Sequence, residues 1–218
     1  MSASQFPMPT GSKRLVLGCG ALVYDLVELI KHNPLVDQVV DLKCLPAKLH
    51  HTPQLIAGAV EQALAEYADQ YAEVFVAYGD CGTVGELDKV LDKYNAQRIP
   101  GEHCFEFFAG ADAYQKIVDD EVGSFFLTDF LVKLFDQFVI KGLGLDRYPE
   151  LFDVYFEHYT QMVYLAQTED PKLQAKAQLH AKAFGMKYVY RYVGADALSP
   201  LTTGLDKLSN ISVEVAHV

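Results

Sequence analysis

Two short apolar runs of this chain end abruptly in glycine-rich loops, and each loop holds a cysteine. Residues 15–21 read Leu-Val-Leu-Gly-Cys-Gly-Ala, and residues 76–85 read Val-Ala-Tyr-Gly-Asp-Cys-Gly-Thr-Val-Gly. Short apolar runs bounded by glycine are typical of buried strands, and glycine lets the backbone turn tightly where a strand stops. Because both runs end in the same way, we expect Cys19 and Cys81 to lie at the same edge of one sheet.

Strand-like apolar runs alternate with helical periodicities along most of the chain. At 218 residues, the chain is long enough for one large domain with a sizeable core. The alternation predicts an α/β fold, with a mostly parallel Rossmann-like sheet, helices on both faces, and ligands bound outside the carboxyl ends of the strands. We expect a flexible N-terminal arm over residues 1–13, a single α/β domain over 14–194, and a C-terminal arm or tail over 195–218.

Two helices are predicted in the second half of the chain with features of their own. Thr128 or Asp129 is expected to cap a continuous helix that runs to about residue 141. Residues 149–160 are strongly aromatic and are expected to form a helix that covers the sheet or contacts a second subunit. A homodimer is therefore one of the expected assemblies.

The charge and hydropathy of the chain exclude several classes of partner. The formal net charge is -11, which opposes binding to nucleic acid and to anionic membranes. No uninterrupted apolar run reaches about 18 residues, the usual minimum for a spanning helix, and residues 1–13 lack the apolar stretch of a signal peptide. We expect a cytoplasmic protein that binds neither nucleic acid nor a membrane.

Three of the four cysteines lie in glycine-rich or polar loops, since Cys104 follows a Pro-Gly turn and His103. In a reducing compartment such cysteines indicate metal binding, catalysis or core packing rather than disulfides. Thiolates from separate loops suit a soft or borderline metal, and three of them leave one position open on zinc or on a 4Fe-4S cluster. We predict Cys19, Cys81 and Cys104 as metal ligands; plain core packing is the alternative for each, and we interpret Cys44 as structural.

Other residues of the same loops are candidates for catalysis and cofactor binding. Carboxylate and imidazole groups can orient ligands or move protons, and the predicted catalytic set is Asp80, His103, His50 and Glu106. Backbone amides and small side chains can cradle a cofactor, and the predicted cofactor-binding set is Gly18, Gly20, Gly79, Gly82 and Thr83. The loop from residue 79 to 85 matches neither the dinucleotide nor the P-loop pattern.

A reading without metal makes Cys81 a nucleophile. His103 or His50 would then act as the base, and amides of the glycine-rich loop would stabilise a developing anion. Asp80 is the neighbour of Cys81 in sequence, and a like charge at that distance is expected to disfavour the thiolate unless the carboxylate faces away. We therefore favour the metal centre over a nucleophilic Cys81.

Several motifs of the chain resemble the uncharacterised DUF1638 family. They are Gly-Cys-Gly-Ala-Leu at 18–22, Leu-Pro-Ala at 45–47, Tyr-Gly-Asp-Cys-Gly-Thr at 78–83, His-Cys at 103–104, Phe-Phe-Leu-Thr-Asp-Phe-Leu at 125–131, Leu-Gly-Leu-Asp-Arg at 143–147 and Tyr-Leu-Ala-Gln-Thr at 164–168. The resemblance implies an association with genes for corrinoid-dependent methyltransferases, and hence with one-carbon or methylated-amine metabolism. The three-cysteine layout is also similar to that of thiouracil desulfidases and quinolinate synthases, in which three cysteines hold a 4Fe-4S cluster with one open iron.

These expectations describe a metal-dependent enzyme that acts on a small-molecule substrate. Its three-cysteine centre is expected to be a 4Fe-4S cluster with an open iron, or zinc, and its reaction a lyase, hydrolase or desulfidase-like step. The alternative is a non-catalytic protein that binds or delivers a metal or cofactor as a maturation partner of a corrinoid methyltransferase system. A purely structural role predicts instead that the cysteines lie far apart in apolar surroundings.

Overall fold

Short parallel strands and the helices between them form two sheets in this computed structural model, which describes residues 13–32 and 40–194. All strand pairs that the structure describes are parallel, and helices connect successive strands. The predicted α/β class, with parallel strands flanked by helices, is therefore confirmed. Apart from Lys13, the predicted arms over residues 1–13 and 195–218 lie outside the described residues.

The first sheet contains the two cysteine-terminated runs. Its strands lie in the order β2-β1-β3-β4, so β1 is central and β3 is its direct neighbour. The elements are β1 (Arg14–Cys19), α1 (Val23–His32), β2 (Val40–Leu45), α2 (Ile56–Tyr67), β3 (Glu73–Ala77), α3 (Glu86–Tyr94) and β4 (Gln97–Arg98). Short 3-10 turns lie at Gly20–Leu22, Ala47–His51, Pro53–Leu55 and Ala68–Gln70.

The second sheet has the order β5-β6-β7. Its strands and the helices around it are α4 (Cys104–Ala109), α5 (Ala111–Asp120), β5 (Ser124–Thr128), α6 (Asp129–Lys133), α7 (Leu151–Phe156), β6 (Gln161–Ala166), α8 (Pro171–Ala183) and β7 (Lys187–Tyr192). The sequence pattern predicted one sheet, and the structure divides the strands between two. The division follows β4, which pairs over only Gln97 and Arg98, because Pro100 has no amide hydrogen with which to extend the ladder.

Strand β6 joins the cores of the two sheets. All six of its residues are buried, and alternate side chains of a strand point to opposite faces. Val163 and Leu165 pack into the core of the first sheet, whereas Met162, Tyr164 and Ala166 pack into the core of the second. A strand buried on both faces reads as a continuous apolar run, which is how β6 appears in the sequence.

The prediction of a continuous helix from Thr128 or Asp129 to about residue 141 is wrong, because the helix is interrupted near its middle. Thr128 caps it as expected, by accepting a hydrogen bond from the Leu131 amide at 3.4 Å, but α6 ends at Lys133 and a π-helical segment follows over Asp136–Lys141. Within this π-helical segment, Nε2 of His51 donates to the Phe138 carbonyl oxygen at 2.6 Å, so that carbonyl bonds to a side chain from a distant part of the chain.

The aromatic helix is shorter than the predicted span of 149–160, since α7 covers Leu151–Phe156. The amides of Thr160 and Gln161 both donate to the Gly123 carbonyl oxygen, at 2.9 and 3.1 Å, and this turn starts β6. Phe156 is buried and its ring packs edge-on against Phe125 of β5, so α7 covers the second sheet. None of the described helices has the length and apolar character needed to cross a membrane.

Candidate three-cysteine site

The ends of β1 and β3 lie side by side and carry the first two cysteines. The two strands pair in parallel with Gly18 opposite Ala77, so the next residues along, Cys19 and Tyr78, are level with each other. Cys19 is the last residue of β1 and the N-cap of the Gly20–Leu22 turn. Cys81 follows three residues after Tyr78, at the same carboxyl edge of the sheet. The prediction that both cysteines lie at one edge is confirmed.

The loop that carries Cys81 has an uncommon backbone conformation. Cys81 has φ 51° and Val84 has φ 54°, and Gly82 and Gly85 also have positive φ. A positive φ is unfavourable for residues with a β-carbon, above all for β-branched valine. The structure around the loop must therefore hold it in place.

The carboxylate of Asp80 holds this loop. Its Oδ1 accepts hydrogen bonds from the Thr83 hydroxyl at 2.8 Å and the Gly85 amide at 2.9 Å, and its Oδ2 accepts one from the Val84 amide at 3.0 Å. Burial opposes the charged form of Asp80, but these hydrogen bonds lower its pKa below the ordinary value. Asp80, predicted to be catalytic, and Thr83, predicted to bind a cofactor, thus have observed roles in shaping the Cys81 loop.

A second loop brings Cys104 to Cys81. The amides of Asp80 and Cys81 donate to the carbonyl oxygens of Gly101 and Glu102, at 3.0 and 2.8 Å. Cys104 then begins α4, where the sequence predicted an irregular loop. Gly79 makes this approach close, because a β-carbon there would lie 3.2 Å from the backbone carbonyl carbon of His103.

Arg98 holds the second loop, residues 99–103 between β4 and α4, in place. Its guanidinium binds both carboxylate oxygens of Asp88, at 2.6 and 3.0 Å, and donates to the carbonyls of Ile99 and Gly101, at 2.8 and 3.1 Å. A planar guanidinium can make such a set of bonds, whereas a lysine cannot. Because Gly101 also accepts from Asp80, Arg98 supports the turn against which the Cys81 loop rests.

The thiols of Cys81 and Cys104 lie next to each other and influence each other's ionisation. The Cys104 thiol, together with backbone hydrogen bonds from Gly79 and Cys104, lowers the Cys81 pKa against burial and the charge of Asp80. The contact with Cys81 and burial raise the pKa of Cys104 well above its ordinary value. The expectation that the charge of Asp80 disfavours the Cys81 thiolate is confirmed, but the Cys81 pKa is lowered all the same because other contacts outweigh that charge.

The three cysteines line one narrow, mainly apolar cavity of about 30 Å³ together with His50 and Tyr78. Burial raises the pKa of Cys19 to about 11, although the amides of Ala21 and Leu22 oppose the rise. Cys44 lines a different cavity behind β2, and burial raises its pKa to about 12. The thiols of Cys19, Cys81 and Cys104 thus come together, and Cys44 lies outside their cavity as the sequence indicated.

A larger cleft of about 610 Å³ adjoins this cavity and shares Cys81, Cys104 and His50 with it. His103 also lines the cleft. Desolvation by the surrounding protein lowers the pKa of His50, and electrostatic repulsion from His51 and His103 lowers it further. His50 is therefore largely neutral at neutral pH and can accept a proton, so two of the predicted catalytic residues, His50 and His103, lie beside the thiols.

Glu106 lies elsewhere. Its Oε2 accepts a hydrogen bond from the Glu102 amide at 2.9 Å, and it is not among the described residues that line the cavity or the cleft. Its carboxylate packs against Gly101, where an added β-carbon would collide with it. The observed contacts of Glu106 shape the second loop, and a catalytic part for it stays a prediction.

The predicted cofactor-binding glycines have packing partners within the protein. A β-carbon at Gly18 would lie 2.6 Å from Cδ1 of Leu26, and one at Gly20 would lie 2.7 Å from the carbonyl oxygen of Leu45. A β-carbon at Gly82, where φ is 81°, would lie 3.3 Å from Pro53. These glycines allow the loops to approach one another closely, and their predicted contact with a cofactor remains untested by this geometry.

Sequence reasoning missed two residues of the site. Tyr78 lines the narrow cavity and is 1% exposed, yet its hydroxyl has no hydrogen-bond partner among the described residues. His51 lines the cleft and fixes the Phe138 carbonyl. The signal for Tyr78 was a polar side chain placed where an apolar strand ends, and the signal for His51 was its position beside His50.

The three thiols do not converge on a point. Among the described residues, no three donors from His, Cys, Asp and Glu stand where a single metal ion would bind them all. Thiolates are nevertheless the donors preferred by zinc and by iron-sulfur clusters. The donor set therefore fits a thiolate-bound centre, while the spacing argues against one ion held by all three sulfurs.

Comparison with known proteins bears on the family and not on the chemistry. The family model DUF1638, described as a protein of unknown function, matches residues 44–202, a range that includes Cys81 and Cys104 and excludes Cys19. No curated protein matches the chain. Among solved structures, the chain is similar to the crystal structure of glutamate racemase from Campylobacter jejuni subsp. jejuni, with 12% identity and a TM-score of 0.43 over 94% of this chain and 93% of that one.

Proposed function

The chain belongs to the DUF1638 family, and from the geometry of its site we propose that it is a metal-dependent enzyme whose Cys19, Cys81 and Cys104 hold a 4Fe-4S cluster. One iron of the cluster is left open for a small-molecule substrate. The observation that carries the proposal is that three thiols from three separate loops line one cavity beside a substrate-sized cleft.

A cluster suits these thiols better than zinc. A single zinc ion needs its sulfur ligands at about 2.3 Å from one point, and the described side chains do not offer three donors in such an arrangement. In a 4Fe-4S cluster each thiolate binds a different iron, so the three sulfurs need not meet at one point. Burial raises the pKa of Cys19 even though the Ala21 and Leu22 backbone groups favour its thiolate, so binding of either centre would have to deprotonate this thiol.

The residues around the thiols would bind the substrate and move protons. When bound, a cluster with an open iron supplies a Lewis acid that polarises a substrate group. His50, largely neutral because its pKa is lowered, can take a proton from the substrate, and His103 lines the same cleft. Such an arrangement suits lyase, hydrolase or desulfidase-like reactions, in which a polarised group is attacked or leaves.

The cleft favours an uncharged substrate. Its volume of about 610 Å³ is typical of small-molecule sites. No Lys, Arg, Asp or Glu is among the described residues that line it, and most of the lining is apolar or aromatic. Burying a charged ligand there without a partner is costly, and the nearby guanidinium of Arg98 is already bound to Asp88.

Anaerobic reconstitution tests the cluster. The full chain would be incubated with ferrous iron and sulfide under reducing conditions, and bound iron, sulfide and visible absorption would be measured, with zinc alone as the parallel experiment. We expect iron and sulfide in cluster proportions, lost in C19A, C81A and C104A but kept in C44A, which removes the cysteine outside the cavity. Failure of the wild type to bind a centre, or equal loss in C44A, contradicts the proposal.

The Cys81–Cys104 pair supports a second candidate, covalent catalysis by Cys81. Its lowered pKa makes Cys81 a better nucleophile at neutral pH than an ordinary cysteine, and His50 lies in the same cavity to serve as base. Mass-spectrometric mapping after brief treatment of metal-free protein with iodoacetamide distinguishes the thiols. Covalent catalysis expects Cys81 to be modified first; uniform or absent modification argues against it.

Location and partners follow from the proposal as expectations. A cytoplasmic location suits it, because a reducing compartment keeps the four cysteines free. Association with a corrinoid methyltransferase system, implied only by the family resemblance, stays a prediction. Stable binding to such a protein without turnover of any small molecule would favour the carrier or maturation role over the enzyme, and the expected homodimer likewise awaits a measurement of molecular mass.

A further inference from the structure

Tyr78 presents a buried hydroxyl without a partner at the centre of the thiol cavity. The side chain is 1% exposed, and the hydroxyl makes no hydrogen bond of ordinary geometry with any described group. Buried polar groups are almost always paired, and an unpaired one points to a partner outside the described side chains, such as a water, an ion or a ligand. In a cavity lined by three thiols, a bound centre that ionises a thiol can supply that partner.

The hydroxyl lies next to Cys19. The register of β1 and β3 places Tyr78 level with Cys19 on neighbouring strands, where side chains of parallel strands stand about 5 Å apart. Both residues line the same cavity. The phenol is close enough to the Cys19 sulfur to lower the Cys19 pKa, although the two groups do not meet the geometry of an ordinary hydrogen bond.

Ionisation of Cys19 changes its ability to accept a hydrogen bond. A neutral thiol is a weak acceptor, whereas a thiolate is a charged one and accepts strongly. A phenol keeps its proton at neutral pH and can serve as the donor. Binding of a metal centre converts cysteine thiols to thiolates, so loading the site creates the acceptor that Tyr78 lacks.

We propose that Tyr78 donates a hydrogen bond to the Cys19 thiolate when the centre is bound, and so acts as a positioning residue for that ligand. The inference rests on the proposed function, since it needs a bound centre. Hydrogen bonds to ligand sulfurs tune the stability and the reduction potential of iron-sulfur centres. The hydrogen bond of Tyr78 thus forms only in the protein with a bound centre. In the empty protein its hydroxyl is buried without a described partner, which lowers the stability.

The variant Y78F separates the two states. Removing an unpaired buried hydroxyl is not expected to destabilise the empty protein, so the metal-free Y78F variant should unfold at or above the wild-type temperature. Y188F is the matched control, because Tyr188 carries another buried hydroxyl without a described partner but lies on β7, away from the thiols. A lower unfolding temperature for metal-free Y78F overturns the inference, since it would mean that the hydroxyl already has a partner in the empty protein.

The loaded protein gives the second readout. After reconstitution with ferrous iron and sulfide, we expect Y78F to lose iron to a chelator roughly 10- to 100-fold faster than the wild type, as is typical when a partner of a metal ligand is removed. Its reduction midpoint should be more negative, because one donor that stabilises the reduced centre is gone. Y188F should match the wild type in both measurements.

The outcomes distinguish the inference from the proposed function. A wild-type protein that binds no centre overturns the proposed function and, with it, the premise of this role for Tyr78. A centre that forms in the wild type, but that Y78F holds as tightly and at the same midpoint, overturns the role of Tyr78 alone and leaves the cluster in place.

Discussion

The thiol of Cys104 lies against the sulfur of Cys81, and this contact is the largest influence on the Cys81 pKa, which it lowers more than burial raises it. The contact exists because the amides of Asp80 and Cys81 bind the carbonyls of Gly101 and Glu102, which brings a loop distant in sequence against the Cys81 loop. The reactivity of Cys81 is thus a property of two loops together.

Removal of the donor should make Cys81 less reactive. In C104A the Cys81 pKa should rise towards its ordinary value or above it, because burial remains and the hydrogen bond is lost. A hydrogen bond to a charged group is worth about 1.5–3 kcal/mol, so the rate of iodoacetamide modification at pH 7 should fall roughly tenfold or more. The measurement is the pH profile of Cys81 modification by mass spectrometry. C104S keeps a donor and should retain most of the rate; equal slowing in both variants contradicts the explanation.

Loss of the Asp80 carboxylate should destabilise the protein at neutral pH. Its oxygens accept three hydrogen bonds that hold Cys81 and Val84 at positive φ, so D80A should lower the free energy of unfolding by about 2–4 kcal/mol. The exposed Asp69 provides the control D69A, for which we expect little change. Urea unfolding at pH 7 measures both variants, and similar losses in the two would argue against the role of Asp80 in the loop.

The contribution of Asp80 should also depend on pH. The pKa of Asp80 is lowered in the folded protein, so its contribution to stability is present above the unfolded pKa of about 3.9 and is lost as pH falls through the folded pKa. The difference in unfolding free energy between wild type and D80N should therefore be constant from pH 8 to about pH 5 and shrink in acid. A difference that persists unchanged at pH 3 contradicts this expectation.

Two glycines should respond in opposite ways to substitution by alanine. At Gly20 an added β-carbon would lie 2.7 Å from the Leu45 carbonyl oxygen and 2.8 Å from the Ala47 amide nitrogen, so G20A must push the turn after β1 away from the end of β2, which should disturb Cys19 and destabilise the protein. At Gly58, inside α2, nothing lies within 4 Å of the added carbon, and G58A should stabilise the protein by about 0.5–1 kcal/mol. Thermal unfolding checks both, and a G20A protein as stable as wild type would show that the turn can yield.

The parts of the site that are local in sequence could be predicted. The apolar runs ending at Cys19 and near Cys81 identified two strand ends at one sheet edge, because a strand, a glycine turn and a helix follow one another within a few residues. The hydrogen bond from His51 to the Phe138 carbonyl oxygen joins residues that are 87 positions apart in sequence. The position of the Tyr78 hydroxyl beside Cys19 depends in the same way on the pairing of two strands. Neither of these arrangements leaves a local pattern in the sequence.

The contacts of Asp80 show what the sequence leaves out. The sequence correctly predicts that the charge of Asp80 disfavours the Cys81 thiolate, but it cannot show that the carboxylate accepts from Thr83, Val84 and Gly85. The division of the strands into two sheets was missed for a related reason. The first sheet ends at β4, which pairs with β3 over only two residues. The apolar pattern of each strand would be the same in one sheet as in two, so the sequence does not show the division.

Asp25 should make the protein more stable as the pH is lowered from 8 to 5. Burial raises its pKa to about 7, and the charge of Asp129 adds to the rise. A carboxyl group with a raised folded pKa binds a proton more readily in the folded state, so its effect on stability is most favourable below the unfolded pKa of about 3.9 and is lost as pH rises through about 7. D25N removes this titration and should raise the free energy of unfolding at pH 8 by roughly 1–2 kcal/mol, with little effect at pH 4. Urea unfolding across this pH range measures the difference in unfolding free energy, and D69N at an exposed position serves as the control. A D25N protein whose stability follows the wild-type pH profile would contradict the raised pKa of Asp25.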